Sequence, residues 1–403
     1  MAKFGAEGAA TEMSDQGVPT KTVSDFETRL TEADKTVASF ERDDKTLVHR
    51  ARGFLRGNPT SIPALVLILS VIAFGVIAPR FLGIGALSTV LQQVTVTGIV
   101  AIAQTLVILT AGIDLSVGAI LVVSALIMGN LAVNGVMLGY LVAILGLFVG
   151  GVENAAELAA THAGTMSFVV VSLTILVAMF FAGLMGWING MLVAYVRLPP
   201  FIVTLGTLSV FTSLKLWYSH SESIRNVDIE AKAPALLWFG EAIRPFGAKL
   251  TYGSISLIVL AAIIWYVLNH TAWGRHVHAI GDDPDAAMLS GIRSNRTLVS
   301  VYTVAGLICG FAAWVSIGRV GSVSPVSFDT INLGSITAVV IGGTSLFGGR
   351  GSIIGSVLGA IIVGVFNTGL SLAGVDDYWQ MFAAGNLVII AVALDQWLRR
   401  ASQ

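Results

Sequence analysis

Few side chains in this chain are equipped for chemistry, and most of those sit inside apolar surroundings. The run Thr110-Ala111-Gly112-Ile113-Asp114-Leu115-Ser116-Val117-Gly118 places one carboxylate between two long apolar stretches. A carboxylate at such a position costs roughly 3 kcal/mol or more in a bilayer centre and persists where it has a partner. Gly112 can break one helix, and Asp114 or Ser116 can then cap the next, meeting orphan N–H groups at the positive end of the dipole. The other reading is a polar lining for a hydroxylated solute. The two readings are compatible, because irregular backbone at membrane depth is tolerated where it faces a cavity.

A second cluster is Gly186-Trp187-Ile188-Asn189-Gly190, followed by Arg197-Leu198-Pro199-Pro200-Phe201-Ile202-Val203-Thr204-Leu205-Gly206. The double proline ends one helix and starts another. Gly183, Gly186 and Gly190 permit close helix approach. Asn189 either bonds across helices or faces a solute path.

The third is polar: His278-Ala279-Ile280-Gly281-Asp282-Asp283-Pro284-Asp285-Ala286-Ala287-Met288-Leu289-Ser290-Gly291-Ile292. Asp283 before Pro284 is a good N-cap and N1 pair. A short helix should follow to about Ser290, with Gly291 closing it. Ala286, Ala287, Leu289 and Ile292 have helical spacing. Such a helix suits a groove on a partner protein or an ordinary place at the membrane interface.

The glycine-rich stretch from Ile341 to Gly355 is no phosphate loop, since no GxxxxGK[ST] occurs in the chain. Close packing and a sharp turn account for most of its glycines; Arg350 has a membrane-edge position where it can snorkel. No HExxH and no G-x-S-x-G elbow is present, and the six histidines are scattered. Catalytic residues and metal ligands are therefore not expected, nor is a bound cofactor.

These groups need a scaffold, and the composition says which kind. Of 403 residues, 55% are apolar and 12% charged, with a mean hydropathy of +0.83. A soluble domain carries about 25% charged residues, so a soluble enzyme and a disordered chain are both disfavoured. A net charge of −1 gives no nucleic-acid footprint. One cysteine, Cys309, permits no internal disulfide. Nine of the 23 Lys/Arg and ten of the 24 Asp/Glu fall within residues 1–56. The expectation is a polar, cytoplasmic, partly disordered tail over 1–56, with amphipathic helix over 21–56, joined to a transmembrane domain over 57–398.

Eleven apolar runs follow: Ile62–Ala78, Val94–Ala111, Ile113–Val133, Val136–Gly151, Phe168–Tyr195, Phe201–Tyr218, Ser254–Leu268, Thr297–Ile317, Leu333–Phe347, Ser352–Ala373 and Trp379–Leu394. Backbone in lipid must bond to itself, so these are helices and the fold is an all-α polytopic membrane protein. Arg50, Arg52 and Arg56 precede the first run and Arg399 and Arg400 follow the last, which puts both termini in the cytoplasm. Both ends inside demands an even number of crossings, about ten, with a broken or re-entrant element near 136–167. The loop 269–296 is then cytoplasmic.

The third motif, together with GIDLSVG, LPPFIVTLG and AVVIGGTSLFGGRGS, resembles the monosaccharide-importer permeases of ATP-binding-cassette systems, the family of ribose, xylose, arabinose and fructose importers. The resemblance covers about residues 50–398. Asp282-Asp283-Pro284 and the closing Asp395-Gln396-Trp397 look most like fructose-type members. It implies a multi-pass subunit of a bacterial inner membrane, a homodimeric or pseudo-dimeric membrane core with a second permease copy, a cytoplasmic ATPase holding ATP and Mg, and a periplasmic sugar-binding protein. It implies an ATPase-coupling role for Gly281, Asp282, Asp283, Pro284, Ala286, Ala287, Leu289 and Gly291. It places Asp114, Ser116, Asn189, Phe201 and Thr204 near the translocation path. The stretch 136–167 is longer than the family leads one to expect. No deep sugar site is expected, since no cluster of aromatic and carboxylate residues appears within the runs. The alternative is an ion-coupled secondary sugar transporter, for which Asp114 is the clear titratable candidate.

Overall fold

The computed structural model describes residues 61–386 except 150, 162 and 377, together with 389 and 393. The expectations for residues 1–56, for Asp395–Trp397 and for Arg399 and Arg400 lie outside the described residues. Everything described belongs to one compact unit that begins at Asn58.

Helices dominate, and each apolar run read from the sequence meets one. They are α1 (Ser61–Ile77), α2 (Ile84–Leu109), α3 (Val117–Val133), α4 (Val136–Val149), α5 (Val152–Thr161), α6 (Ala163–Ala194) and α7 (Pro200–Ser219). After a connecting segment come α8 (Asn226–Lys232), α9 (Tyr252–His270), α10 (Ala272–Asp282), α11 (Pro284–Leu289), α12 (Ser294–Val320), α13 (Ile331–Ile341) and α14 (Ile353–Leu372). Residues 378–386 are helical again. Among the described residues α2, α6, α7, α9, α12 and α14 are long and apolar enough to cross a membrane. The pair α3 and α4, bent by 58°, counts as a seventh crossing if taken as one broken span. At 17 and 11 residues, α1 and α13 are shorter, so the number ten is not reached by length and apolarity. The irregular stretch expected near 136–167 is here the bend after α3, the 14-residue α4 and the ten-residue α5, each of these two helices too short to span alone.

The core is built around α2. From Val94 to Leu109 every residue but Thr97 is buried, which explains an apolar run with no polar face. This helix starts ten residues before its apolar run. Ser88 and Thr89 return their hydroxyls to the carbonyls of Ile84 and Gly85 at 3.0 Å each, so the polar first turns stay satisfied inside a helix.

On one side α6 packs along α12 in close backbone contact. A Cβ on Gly186 would lie 2.2 Å from the Tyr302 carbonyl oxygen, and one on Gly306 would lie 2.3 Å from that of Ala182. The spacing Ala182, Gly186, Gly190 against Gly306, Gly310 is the small-residue seam of membrane helix pairs.

The bundle has two ends. At one, Ala242–Ile243 (β1) and Leu250–Thr251 (β2) form a short antiparallel hairpin, and Ile224 bridges Val323. Thr251 caps α9, and the Lys249 N–H donates to Ser88 Oγ at 2.8 Å, so α2 starts at this hairpin end. At the other end lie α10, α11 and the glycine-rich turn. Thus the loops 219–253 and 269–296 sit at opposite ends, separated by α9.

Candidate coupling and translocation site

The break between α2 and α3 is the first element of the site. Its left-handed residue is Ala111 (φ +59°), not the neighbouring glycine. Gly112 instead serves closeness: a Cβ there would meet the Tyr302 hydroxyl at 2.7 Å. Val107 accepts the N–H groups of both Thr110 and Gly112 at 3.1 Å, which closes the helix end.

Asp114 follows and is buried, as are Gln104, Ser116, Asn189 and Thr204. Asp114 Oδ1 accepts from the Ser116 N–H at 2.7 Å and from Ser116 Oγ at 2.6 Å. Asn189, reaching over from α6, donates to Ser116 Oγ at 2.8 Å and toward Asp114 Oδ2 at 3.5 Å. Gln104, with its amide turned to match its neighbours, bonds the backbone N–H and C=O of Asp114 at 3.2 and 3.1 Å. Thr204 of α7 donates to the Ile113 carbonyl at 2.9 Å. Asn332 of α13 accepts from the Gly118 N–H at 2.7 Å. The broken strand of backbone is therefore tied to α2, α6, α7 and α13.

Both readings of Asp114 are informed by this. The cap geometry is indirect: Ser116 holds the N-cap position of α3 without a side-chain bond to the helix, and Asp114 receives the Ser116 N–H instead. Asn189 bonds across helices. Of the five residues placed near a path, Asp114, Ser116, Asn189 and Thr204 are brought together, whereas Phe201 is exposed on the outer surface of α7.

The second element is the capped helix. Asp283 Oδ1 accepts from the N–H groups of Asp285 and Ala286, each at 3.0 Å, and Pro284 fills the first helical position. Gly291 (φ +84°) closes the turn, with the Ile292 N–H returning to the Ala287 carbonyl at 3.1 Å. Ala287 faces the protein and is buried, while Met288 is 61% and Leu289 87% exposed. Asp282, Asp283, Pro284 and Ala286 are exposed as well. The spacing alone left open which apolar residues of this helix face outward.

The third element joins the first two and carries no signal in the sequence. Gly281, last but one in α10, lies on the Leu109 carbonyl at the end of α2, where an added Cβ would fall 1.7 Å away. The same carbonyl accepts from the Gly349 N–H at 3.0 Å, and His278 Nδ1 pairs with the Gly349 carbonyl at 3.1 Å. The end of α2, the end of α10 and the glycine-rich turn thus meet backbone to backbone. The composition of 341–355 signalled a tight turn but not its partner.

A cavity of about 550 Å³ lies elsewhere, in the half of the bundle nearer the hairpin. None of the five path candidates lines it.

A many-helix bundle with a broken span and a capped outward helix is the architecture of a membrane permease. The family model described as "branched-chain amino acid transport system / permease component" matches residues 86–392, and the chain belongs to this family. It is 48% identical over 379 residues to a fructose import permease protein of Rhizobium meliloti, covering 94% of this chain and 96% of that one. It is 33% identical over 335 residues to a ribose import permease protein of Escherichia coli K12, covering 83% and 92%. A galactose/methyl galactoside import permease protein of Haemophilus influenzae is 30% identical over 318 residues, covering 79% and 88%. No solved structure matches the chain.

Proposed function

We propose that this chain is the membrane permease subunit of an ATP-binding-cassette importer that moves a monosaccharide of the fructose, ribose or xylose class across a bacterial inner membrane. The chain has no phosphate loop, so the nucleotide is hydrolysed on a partner, a cytoplasmic ATPase. A periplasmic binding protein supplies the sugar, and a second permease copy completes the membrane unit. The identity to a fructose import permease over nearly the whole of both chains favours fructose within that class.

One observation carries the mechanism: the capped helix that presents Met288 and Leu289 outward is seated through Gly281 on the carbonyl that ends α2. A push on α11 therefore reaches the α2–α3 break without passing through a flexible side chain. In this reading Met288 and Leu289 enter a groove on the ATPase, Ala287 holds the helix to the permease, and Asp283, Pro284 and Gly291 set its ends. Five residues past Leu109 stands Asp114, whose bonds to Ser116 and Asn189 couple the same break to α6. ATP-driven closure of the ATPases moves α11, and α2, α3 and α6 respond together. α9 and α12 flank this unit directly, and Trp273 of α10 donates to Ser300 of α12 at 2.8 Å.

Orientation follows from the same ends. Phe74 near the end of α1 lies against Gly369 near the end of α14, and α14 starts at the coupling end, so α1 does too. That supports a cytoplasmic N-terminus if α11 meets an internal ATPase.

The test is copurification and uptake. Leu289→Asp should abolish capture of the ATPase and sugar uptake while membrane abundance holds. Uptake by purified permease with no ATPase present overturns the reading.

A further inference from the structure

The cavity of about 550 Å³ falls within the roughly 300–1,000 Å³ of small-molecule sites. Its wall combines two kinds of group. Gln93 and Thr97 of α2, Asn367 of α14 and Arg319 at the end of α12 present amide, hydroxyl and guanidinium groups. Phe328 and Phe366 add ring surface. Sugar recognition can use this pairing: amides both donate to and accept from vicinal hydroxyls, and a ring takes the C–H face of the pyranose or furanose. No carboxylate lines the cavity, and among the described residues no acid forms an ion pair with Arg319.

A second feature points to the same place. Phe328 has φ +61°, a conformation that a bulky side chain rarely adopts. Such strain persists where the surroundings over-determine it, and it clusters at ligand clamps. Here the next residue supplies the restraint: Asp329 is held at 2.7 Å by Lys215, whose side chain is only 5% exposed on α7. The Phe328 carbonyl also accepts the Ile331 N–H at 3.0 Å, which joins the turn to α13.

We propose that this cavity, a half-open hollow lined by residues of one chain, is a site for a neutral monosaccharide on its way through the membrane. It rests on the permease reading above and adds to it the place of the sugar. It stands in the half of the bundle opposite the Asp114 knot. A sugar handed over at the hairpin end meets Arg319 and Asn367 before it reaches the closed α2–α3 break.

The experiment uses the full chain in nanodiscs with D-fructose and D-ribose as probes. Cys309 is buried and serves as a silent background. In Asn367→Cys, a small hydrophilic thiol reagent should label the new cysteine, and either sugar should slow labelling about tenfold, the scale of one or two hydrogen bonds. Adding Arg319→Ala should remove that protection. In cells, Arg319→Gln and Asn367→Leu should each cut uptake about tenfold at unchanged membrane abundance, the same scale of lost contacts. Labelling indifferent to both sugars, with wild-type uptake normal, overturns the cavity site and leaves the permease reading standing. Absence of ATP-driven sugar uptake by the wild-type system sinks the permease reading instead. Protection by a sugar acid alone overturns the assignment to a neutral sugar.

Discussion

Gly281 and Leu109 touch backbone to backbone: no atom larger than hydrogen fits between the Gly281 Cα and the Leu109 carbonyl oxygen. The contact spans 172 positions of sequence and joins the segment proposed to meet an ATPase to the helix that ends at the broken span. A Cβ at this point would also lie 2.5 Å from the Gly349 nitrogen. Gly281→Ala must therefore separate α10 from α2 and strain the Gly349 bond, at an overpacking cost of about 1–3 kcal/mol. We expect normal membrane insertion and loss of most ATP-driven uptake. Full uptake by Gly281→Ala, measured with radiolabelled sugar in cells, would refute a rigid link here.

Asp283 sets the start of α11 by accepting two N–H groups. Replacing a capping Asp by Ala costs about 0.5–2 kcal/mol, which is enough to fray a helix of this length. Asp283→Ala should weaken ATPase capture in pull-down, and Asp283→Ser or Asp283→Asn should restore most of it. Equal capture by all three variants would show that the cap is irrelevant to docking.

Asp114 tests the knot at the break. Asp114→Ala leaves the Ser116 N–H and the Ser116 hydroxyl in a buried site without their acceptor, and each stranded group costs about 1–3 kcal/mol. Asp114→Asn keeps an oxygen for Ser116 and loses only the long contact to Asn189. The alanine variant should unfold at clearly lower temperature than the asparagine variant in the same detergent. The reverse order, or equal midpoints, would mean that Ser116 is satisfied in some other way.

What could be read from sequence, and what could not, follows from range. The Asp283-Pro284 start and Gly291 stop of α11 are local chemistry, settled by neighbours within a turn, and they stand as expected. The same holds for the helices themselves, because lipid leaves the backbone one solution. The α2–α3 break was legible as a break, but not the role of Ala111, since any small residue can be pressed into left-handed backbone by its surroundings. Contacts such as Gly281 with Leu109, or Phe328 with the cavity, join segments far apart in sequence. A single chain read without its fold carries no signal of them. The cavity leaves no mark in the sequence for a further reason: its polar residues are dispersed over α2, α12 and α14, and none of them forms a motif.

Helix packing gives a prediction independent of transport. Gly186 meets the Tyr302 carbonyl, and Gly306 meets that of Ala182, so neither has room for a methyl group. Gly186→Ala should destabilise the α6–α12 pair by about 1–3 kcal/mol, as overpacking does elsewhere. Gly206 has open space at its Cβ and provides the control. Thermal unfolding of Gly186→Ala and Gly206→Ala in one detergent checks this. A Gly186→Ala midpoint no lower than that of Gly206→Ala would mean that the two helices can part freely.

Lys215 and Asp329 form an unequal pair, with the lysine side chain 5% exposed and the aspartate 59%. The two partners therefore have different consequences when removed. Asp329→Ala strands a cation within the bundle, and breaking a buried pair from that side costs up to about 3–5 kcal/mol, less here because the lost partner is solvated. Lys215→Met leaves a carboxylate that water can reach, so it should cost less. The double variant, with no buried charge left, should recover most of the loss in a thermal unfolding series. The pair also restrains the turn that carries Phe328. Hence Asp329→Ala should weaken sugar protection of a cysteine at Asn367 even where the protein remains folded, and Lys215→Met should do the same. A double variant that regains stability without regaining protection separates the structural part of this pair from its part in shaping the cavity.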